Sequence, residues 1–346
     1  MFNEYNIESI DLSNQLETSE IADFLGSQGL QYEPADFTLA VRKSGKIIGT
    51  GSVAGYVIKC LAIDFAYREG PAFSEIVSRL LEFLDSRGIH HSFVFTRPDS
   101  SISFEKLGFR LVEMTDSVAL LEFGASIDSY LKYLEENREK EVEHSAAVIV
   151  NCNPFTLGHR YLIEQASQNC EYLYVIVVEE DRSVFPFEVR LELVRKGTAD
   201  LKNAAVLCGG RYVVSSSTFP TYFLKSDQPG ELVRQQAELD LKIFALRLAP
   251  VLRIRQRFVG TEDFCLTTAA YNEAMKKILP SHQIKLTEIS RSKIFDGRII
   301  SASTVRAALK NKDFGTVKKM VPQTTFEFLI SPAAKEIIQK IRKKTG

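Results

Sequence analysis

The chain is short of the features that mark several large classes of protein. Its 346 residues carry 43 Lys and Arg against 44 Asp and Glu, so the net charge of −1 includes no basic excess of the kind that nucleic acid attracts. No apolar run is long enough to span a bilayer. The N-terminus lacks the basic and then apolar stretch of a secretory signal peptide. These absences predict a cytoplasmic protein that has neither nucleic acid nor a membrane as its partner.

Cysteine and histidine are also scarce. The five cysteines are an odd number and include no Cys-x-x-Cys pair, so the sequence indicates neither a disulfide framework nor a zinc site. Among the five histidines only His90 and His91 are neighbours, which makes a histidine-based metal centre unexpected. We therefore predict no resident metal site.

The most informative stretch runs from Asn151 to His159, with the sequence Asn-Cys-Asn-Pro-Phe-Thr-Leu-Gly-His. It follows residues 146–150, an apolar run typical of a buried strand, and precedes residues 160–167, which have the apolar spacing of a helix. A turn in this place brings backbone N–H groups and an imidazole to a helix N-terminus, which attracts anions such as phosphate. The alternative is an ordinary turn whose histidine only caps the helix.

A second stretch has similar chemistry. Residues 300–306, Ile-Ser-Ala-Ser-Thr-Val-Arg, open a predicted helix at 304–310, so their hydroxyls and Arg306 gather at another helix N-terminus. A plain Ser/Thr cap is the alternative here. The first stretch resembles the Thr-x-Gly-His signature of the nucleotidylyltransferase superfamily, and the second resembles its Ile-Ser-x-Ser-x-x-Arg signature. Because both occur in the right order, each at a helix start, we favour this resemblance over two unrelated caps.

Residues 1–125 are predicted to form a small α/β domain. A hairpin over 37–41 and 46–51 precedes a strand at 60–63 and an amphipathic helix that contains Ile76. This order resembles the N-acetyltransferase superfamily, in which a glycine-rich turn binds the pyrophosphate of acetyl-CoA.

The turn of this chain departs from that pattern. Residues 68–72, Arg-Glu-Gly-Pro-Ala, are one residue short, and Pro71 removes a backbone N–H that would bind phosphate. Acetyl transfer by this domain is therefore in doubt, and a vestigial or carrier-recognition role is equally open.

The rest of the chain is predicted to form a helical linker at 126–145, within a helix over 127–143, and a domain at 146–346 with alternating strands and helices. Such an alternation predicts a parallel sheet whose ligands bind outside the carboxyl ends of its strands. The predicted strands lie at 146–150, 173–178, 205–207, 212–214, 256–259 and 284–289. The predicted helices lie at 158–169, 187–200, 230–248, 269–278, 304–310, 313–320 and 333–344. The fold class is α/β: an acetyltransferase-like domain followed by a Rossmann-like, parallel-sheet nucleotidylyltransferase domain.

Further stretches narrow the resemblance to the citrate lyase ligase family. They lie at 93–98, 217–225, 258–262 and 271–275, and the match extends over nearly the whole chain. The resemblance implies an enzyme that activates acetate with ATP as acetyl-adenylate. The acetyl group would then pass to the prosthetic-group thiol of the citrate lyase acyl carrier subunit, with release of AMP and pyrophosphate. It thus implies ATP and Mg²⁺ as cofactors, and acetate and the citrate lyase complex as partners.

The resemblance also implies roles for individual residues. His159 would hydrogen-bond the α-phosphate, Thr156 and the backbone of 153–155 would position the phosphates, and Arg306 would hold the leaving β- and γ-phosphates. Mg²⁺ would be bound mainly by substrate phosphates. A covalent intermediate on Cys152 is less favoured than a small buried cysteine. The implied catalytic residues are His159, Thr156 and Arg306. The implied ATP-binding residues are Asn153, Pro154, Phe155, Gly158, Gly260, Glu262, Arg291, Ser301, Ser303 and Thr304.

Two other classes of function stay open from the residues alone. One is an adenylyltransferase that makes a lasting nucleotide product from phosphopantetheine or nicotinamide mononucleotide. The other is a non-enzymatic protein that recognises an acyl carrier through an inactive nucleotide fold. Pyrophosphate release without an acyl acceptor would favour the first, and absence of ATP binding would favour the second.

Overall fold

The computed structural model describes residues 5–179, 183–213, 219–224, 229–261, 266–290 and 300–343. The chain divides into two compact units, Met1–Ser129 with Thr218–Leu239, and Tyr130–Ser217 with Asp240–Gly346. The predicted domains, 1–125 and 146–346 with a linker at 126–145, stay a prediction. The two compact units differ from these predicted domains in one segment. Residues 218–239 group with the first unit, whereas the sequence assigns them to the C-terminal domain.

The first unit is built on a seven-stranded sheet. Its strands are β1 (Asn6–Ser9), β2 (Phe37–Lys43), β3 (Lys46–Ala54), β4 (Val57–Ile63), β5 (Ser92–Thr96), β6 (Arg110–Met114) and β7 (Ala119–Phe123). Its helices include α1 (Gln15–Ser27), α2 (Ala72–Ser86) and α3 (Ser101–Glu105). The strand order is β1-β2-β3-β4-β5-β7-β6. The predicted hairpin and strand are confirmed by the antiparallel pairing of β2 with β3 and by β4. The predicted amphipathic helix is confirmed by α2, whose Ile76 and Leu80 are fully buried in the core that covers the sheet.

Residues 219–224 join the first unit where two of its strands separate. β4 pairs with β5 in parallel at Val57 and Ile58, near the start of β4. The hydroxyl of Tyr222 donates to the carbonyl of Phe95 in β5 at 3.3 Å and also hydrogen-bonds the backbone of Leu61 in β4. Tyr222 is only 3% exposed. Burial and a hydrogen-bonded hydroxyl explain why this segment packs with residues that are distant along the chain.

α4 (Ile127–Glu136) is shorter than the predicted helix, which was wrong beyond residue 136. The chain that follows is held by tertiary contacts instead of by helical ones. Arg138 donates to a backbone carbonyl at 3.1 Å, and the N–H of Glu139 donates to the hydroxyl of Tyr174 at 2.8 Å. These partners come from elsewhere in the second unit, so periodicity could not predict where the helix ends.

The second unit contains a five-stranded, wholly parallel sheet. Its strands are β8 (Ser145–Val150), β9 (Leu173–Val177), β10 (Ala204–Cys208), β11 (Ile254–Gly260) and β12 (Lys285–Ile289). The order is β10-β9-β8-β11-β12, so the chain runs from β8 to one edge and then returns to the other side of β8. This reversal of strand order is a switch point, where parallel α/β sheets bind their ligands. The α/β fold class is thus confirmed, with the parallel sheet in the C-terminal unit.

The remaining helices are α5 (Leu157–Gln168), α6 (Phe187–Gly197), α7 (Pro229–Ile243), α8 (Ala249–Leu252), α9 (Leu266–Ser281), α10 (Ala302–Lys310), α11 (Phe314–Met320), α12 (Gln323–Ile330) and α13 (Lys335–Lys343), with a π-helical turn at Phe244–Leu248. The predicted strand at 212–214 was wrong, because Gly210–Tyr212 forms a 3₁₀ turn that begins with a left-handed residue, φ 59°. Val214, the last residue of that predicted strand, lies outside the described residues. α12 was missed, since its threonines and phenylalanines are weak helix formers.

The second unit contains two apolar clusters. One joins the sheet to α5 and α6 and includes the fully buried Val148, Ile163 and Val194. The other gathers helices from α10 to α13 and includes Phe185, which precedes α6, and Val305 of α10. Each fully buried side chain of this size contributes about 1.5–3 kcal/mol. The loops between these clusters therefore start and end on rigid elements.

Candidate functional site

The loop that follows β8 ends in a capping box at the start of α5. The Thr156 hydroxyl accepts from the backbone N–H of His159 at 3.3 Å, and the N–H of Thr156 donates to Nδ1 of His159 at 3.1 Å. An imidazole nitrogen that accepts a hydrogen bond carries no hydrogen, so the neutral ring of His159 has its proton on Nε2. The cap therefore makes Nε2–H a hydrogen-bond donor at a helix N-terminus.

The side chains within this loop anchor it. Thr156 is 1% exposed, and its hydroxyl also lies 3.0 Å from Nδ1 of His159. The ring of Phe155 is fully buried, and a Cβ on Gly197 of α6 would lie only 2.4 Å from it. Pro154 is buried as well, after a cis peptide bond with Asn153. Phe155 can thus offer a ligand only its backbone, and the Thr156 hydroxyl is directed to the cap.

The second predicted signature forms the N-terminus of α10. The hydroxyl of Ser301 accepts from the N–H of Thr304 at 3.1 Å. The same oxygen lies 2.8 Å from the Ser303 hydroxyl and 2.5 Å from the Thr304 hydroxyl. Ser303 and Thr304 are exposed. A cluster of exposed hydroxyls at the positive end of a helix dipole is suited to a phosphate.

The structure brings the two signatures into contact. Nη1 of Arg306 donates to the backbone carbonyl of Asn153 at 2.5 Å. A Cβ on Gly158 would lie 2.8 Å from the carbonyl oxygen of Ile300, so glycine is what allows the two segments to approach this closely. Arg306 is half-buried, and this burial lowers its guanidinium pKa. Both helix N-termini and one arginine therefore meet at the switch point of the sheet.

Three further residues, Gly260, Glu262 and Arg291, were predicted to bind ATP. Gly260 is the last residue of β11, the neighbour of β8, and its carbonyl accepts from the amide of Asn272 at 3.2 Å. Glu262 and Arg291 lie outside the described residues. Within the part of the chain that is described, no group of three or more His, Cys, Asp or Glu residues is placed to hold a metal ion. No helix found there is long and apolar enough to cross a membrane.

Sequence reasoning missed two residues that build this site. The N–H of Phe185 donates to Oδ1 of Asn153 at 3.1 Å, and Arg190 of α6 donates to the carbonyl and to the side-chain oxygen of Asn151, both at 2.8 Å. An arginine in an amphipathic helix ordinarily predicts a solvated face. No local signal in the sequence indicates that this one is buried.

The first unit contains a pocket of about 470 Å³ beside the altered glycine turn. Its lining includes Arg68, Gly70 and Arg97. The N–H of Gly70 donates to the carbonyl of Tyr67 at 3.1 Å, and Pro71 caps α2 without a side-chain hydrogen bond. One backbone donor of the turn is thus already used, and another is missing.

A parallel α/β sheet with two facing helix N-termini at its switch point defines the class of α/β proteins that have a ligand site at the carboxyl ends of their strands. Residues 145–329 match the family model described as the citrate lyase ligase C-terminal domain. The chain is 36% identical over 326 residues to the [citrate [pro-3S]-lyase] ligase of Escherichia coli (strain K12), covering 92% of this chain and 91% of that protein. The protein of the same name from Haemophilus influenzae is 35% identical over 327 residues, covering 92% and 96%. The chain belongs to the citrate lyase ligase family.

Proposed function

We propose that this protein is the ligase that activates citrate lyase: it joins acetate to the thiol of the lyase's acyl carrier subunit at the expense of ATP. Family membership supports the reaction, because the relatives are named as ligases of citrate lyase. The observation that carries the proposal is the hydrogen bond from Arg306 to Asn153, which brings two helix N-termini together. A triphosphate would be stabilised by such a pair of helix N-termini.

The first step is formation of acetyl-adenylate. A carboxylate oxygen of acetate attacks the α-phosphorus of ATP, a P–O bond forms, and the bond to the departing pyrophosphate breaks. Such phosphoryl chemistry depends on positioning and on donors aimed at the developing charge. His159 is suited to this task, since its cap directs Nδ1 inward and makes Nε2–H the donor. Thr156 acts by holding the imidazole in that tautomer.

The second signature serves the leaving group in this proposal. Arg306 has donors beyond the one that binds Asn153, because a guanidinium carries five N–H groups. The hydroxyls of Ser301, Ser303 and Thr304 lie at the same helix N-terminus. Together they would hold the β- and γ-phosphates as pyrophosphate departs. Gly260, and with it Glu262 and Arg291, keep their predicted roles as further ATP ligands.

Mg²⁺ and the transfer of the acetyl group to the carrier thiol complete the proposal. Mg²⁺ prefers oxygen ligands and retains several waters, so it would be held chiefly by the triphosphate itself. In the second step the carrier thiol, as thiolate, attacks the acetyl carbon. A C–S bond forms, the C–O bond to AMP breaks, and the thiol proton is released to solvent. A thioester results, which keeps the acetyl group reactive.

The test follows labelled acetate. The purified protein is incubated with ATP, Mg²⁺ and deacetylated citrate lyase, and the label is traced to protein or to small molecules. The proposal requires ATP-dependent label on the acyl carrier subunit, removable by hydroxylamine, with release of AMP and pyrophosphate. Nucleotide retained on phosphopantetheine or nicotinamide mononucleotide, with no label on protein, would instead establish the adenylyltransferase alternative.

A further inference from the structure

Arg190 is the largest of the fully buried side chains in the described part of the chain, and none of its surface is exposed. Burial of an arginine is costly unless its N–H groups are hydrogen-bonded. An apolar residue at this position of α6 would fill the same core without that cost. The position of this charge therefore calls for a reason beyond packing.

The guanidinium of Arg190 is held by two loops at the carboxyl edge of the parallel sheet. Nη1 donates to the carbonyl oxygens of Asn151 and Val178, at 2.8 and 2.7 Å, and Nε donates to the carbonyl of Phe185 at 3.0 Å. Asn151 directly follows β8, and Val178 directly follows β9. One planar side chain thus fixes the points where both strands end.

Further contacts connect Arg190 to the rest of the loop between β8 and α5. Oδ1 of Asn151 accepts from Arg190 at 2.8 Å and from the Ser183 hydroxyl at 3.2 Å. Phe185, whose carbonyl binds Arg190, donates its N–H to Oδ1 of Asn153. Asn153 in turn accepts from Arg306 through its backbone carbonyl. A continuous chain of hydrogen bonds therefore runs from Arg190 to the junction of the two signatures.

The positive charge of Arg190 also affects the Cys152 thiol in that loop. Burial raises the pKa of the Cys152 thiol, and the nearby positive charge of Arg190 opposes the rise. Cys152 has a left-handed backbone, with φ 53°, and is 1% exposed. The loop thus leaves β8 through a buried residue with a constrained backbone, close enough to Arg190 for the charge to affect its thiol.

We propose that Arg190 is a positioning residue for adenylation: it clamps the loop at 151–156 so that His159 and the backbone donors face the α-phosphate with correct geometry. This inference rests on the proposed function. It does not place Arg190 in contact with ATP. A misplacement of about 1 Å in such a loop can slow the chemical step by about 10²-fold.

The decisive variant is Arg190→Lys, which keeps the positive charge but cannot donate to three carbonyls from a planar fork. We expect its single-turnover rate of acetyl-adenylate formation to fall by about 10- to 100-fold. ATP should still bind one molecule per chain with an affinity near that of the unaltered protein, as measured by calorimetry. Arg138→Lys is the matched control, because Arg138 also donates to a backbone carbonyl, that of Val251, which lies outside this loop. That variant should react at the normal rate.

A merely structural role predicts a different pattern. It would lower the melting temperature or the fraction of chains that bind ATP, and the chains that still bind would react at the normal rate. A second readout is the rate of acetyl-adenylate formation in the double variant. If Arg190 acts through His159, Arg190→Lys should lower this rate much less in a protein that already carries His159→Ala. Normal turnover by Arg190→Lys, or full additivity with His159→Ala, would overturn the inference. Absence of acetate-dependent turnover in the unaltered protein would instead reject the proposed function.

Discussion

The guanidinium of Arg306 donates a 2.5 Å hydrogen bond to the backbone carbonyl of Asn153, although the two residues are 153 positions apart in the chain. Asn153 belongs to the loop after β8, and Arg306 belongs to α10. This bond places the N-terminus of α5 beside that of α10. Because both termini carry partial positive charge, their approach is favourable when an anion lies between them.

The first prediction concerns His159. His159→Ala should lower turnover by about 10²- to 10³-fold, which is the scale for loss of one preorganised donor. ATP affinity should change much less, since the helix N-termini and Arg306 remain. ATP–pyrophosphate exchange gives the turnover, and calorimetry gives the affinity. His144→Ala removes an exposed histidine ahead of β8 and should change neither. A folded His159→Ala protein with near-normal turnover would disprove the role.

The second prediction concerns the leaving-group end of the site. Arg306→Ala should weaken ATP binding by about 10- to 100-fold, the equivalent of one or two hydrogen bonds to a charged group. AMP binding should stay nearly unchanged, because AMP lacks the β- and γ-phosphates. Arg306→Lys should restore only part of the affinity, since lysine lacks the planar fork. Lys310→Ala, at the other end of α10, serves as the control. Equal losses for AMP and ATP would argue against this assignment.

The third prediction uses two glycines at the second position of their helices. Gly158→Ala in α5 places a Cβ 2.8 Å from the carbonyl oxygen of Ile300, whereas Gly230→Ala in α7 meets nothing within 4 Å. Alanine is otherwise the better helix former by about 1 kcal/mol. Gly158→Ala should therefore lower both the melting temperature and ATP affinity. Gly230→Ala should leave activity unchanged and keep or raise the melting temperature. Similar behaviour of the two variants would mean that Gly158 is not needed for close approach.

The fourth prediction concerns the first unit. The N–H of Gly70 is engaged with Tyr67, and Pro71 has none, so the turn offers few donors for a pyrophosphate. Isothermal titration with acetyl-CoA should show no tight binding, and no transfer to amines should be detected. Pro71→Gly restores one N–H and tests whether the proline is the obstacle. Tight binding by the unaltered protein at residues 60–75 would revive an acetyltransferase function.

Local patterns predicted most elements of the second unit. The apolar runs that became β8 and β9 are buried on both faces of a parallel sheet, and such runs are recognisable without tertiary information. The two capped helix starts are also local, because Thr156 and Ser301 bond N–H groups three residues away. The candidate site was therefore predictable as two separate segments.

Other features could not be predicted because their partners lie far along the chain. Residues 218–239 group with the first unit, where Tyr222 packs against β4 and β5. α4 ends where Arg138 and Glu139 find tertiary partners. In each case a long-range hydrogen bond overrides the local periodicity.

The alternation of strands and helices and the two helix caps could be inferred from the amino-acid sequence alone, since each depends on residues within a few positions of one another. The family resemblance was also visible, because it rests on short motifs spread along the chain. The contact of Arg306 with Asn153 and the burial of Arg190 against the same loop emerge only from the folded chain. Burial of the Arg190 guanidinium depends on carbonyl groups that two separate loops supply, one after β8 and one after β9. Such groups converge only after the sheet has formed, which is why no local pattern in the sequence indicates them.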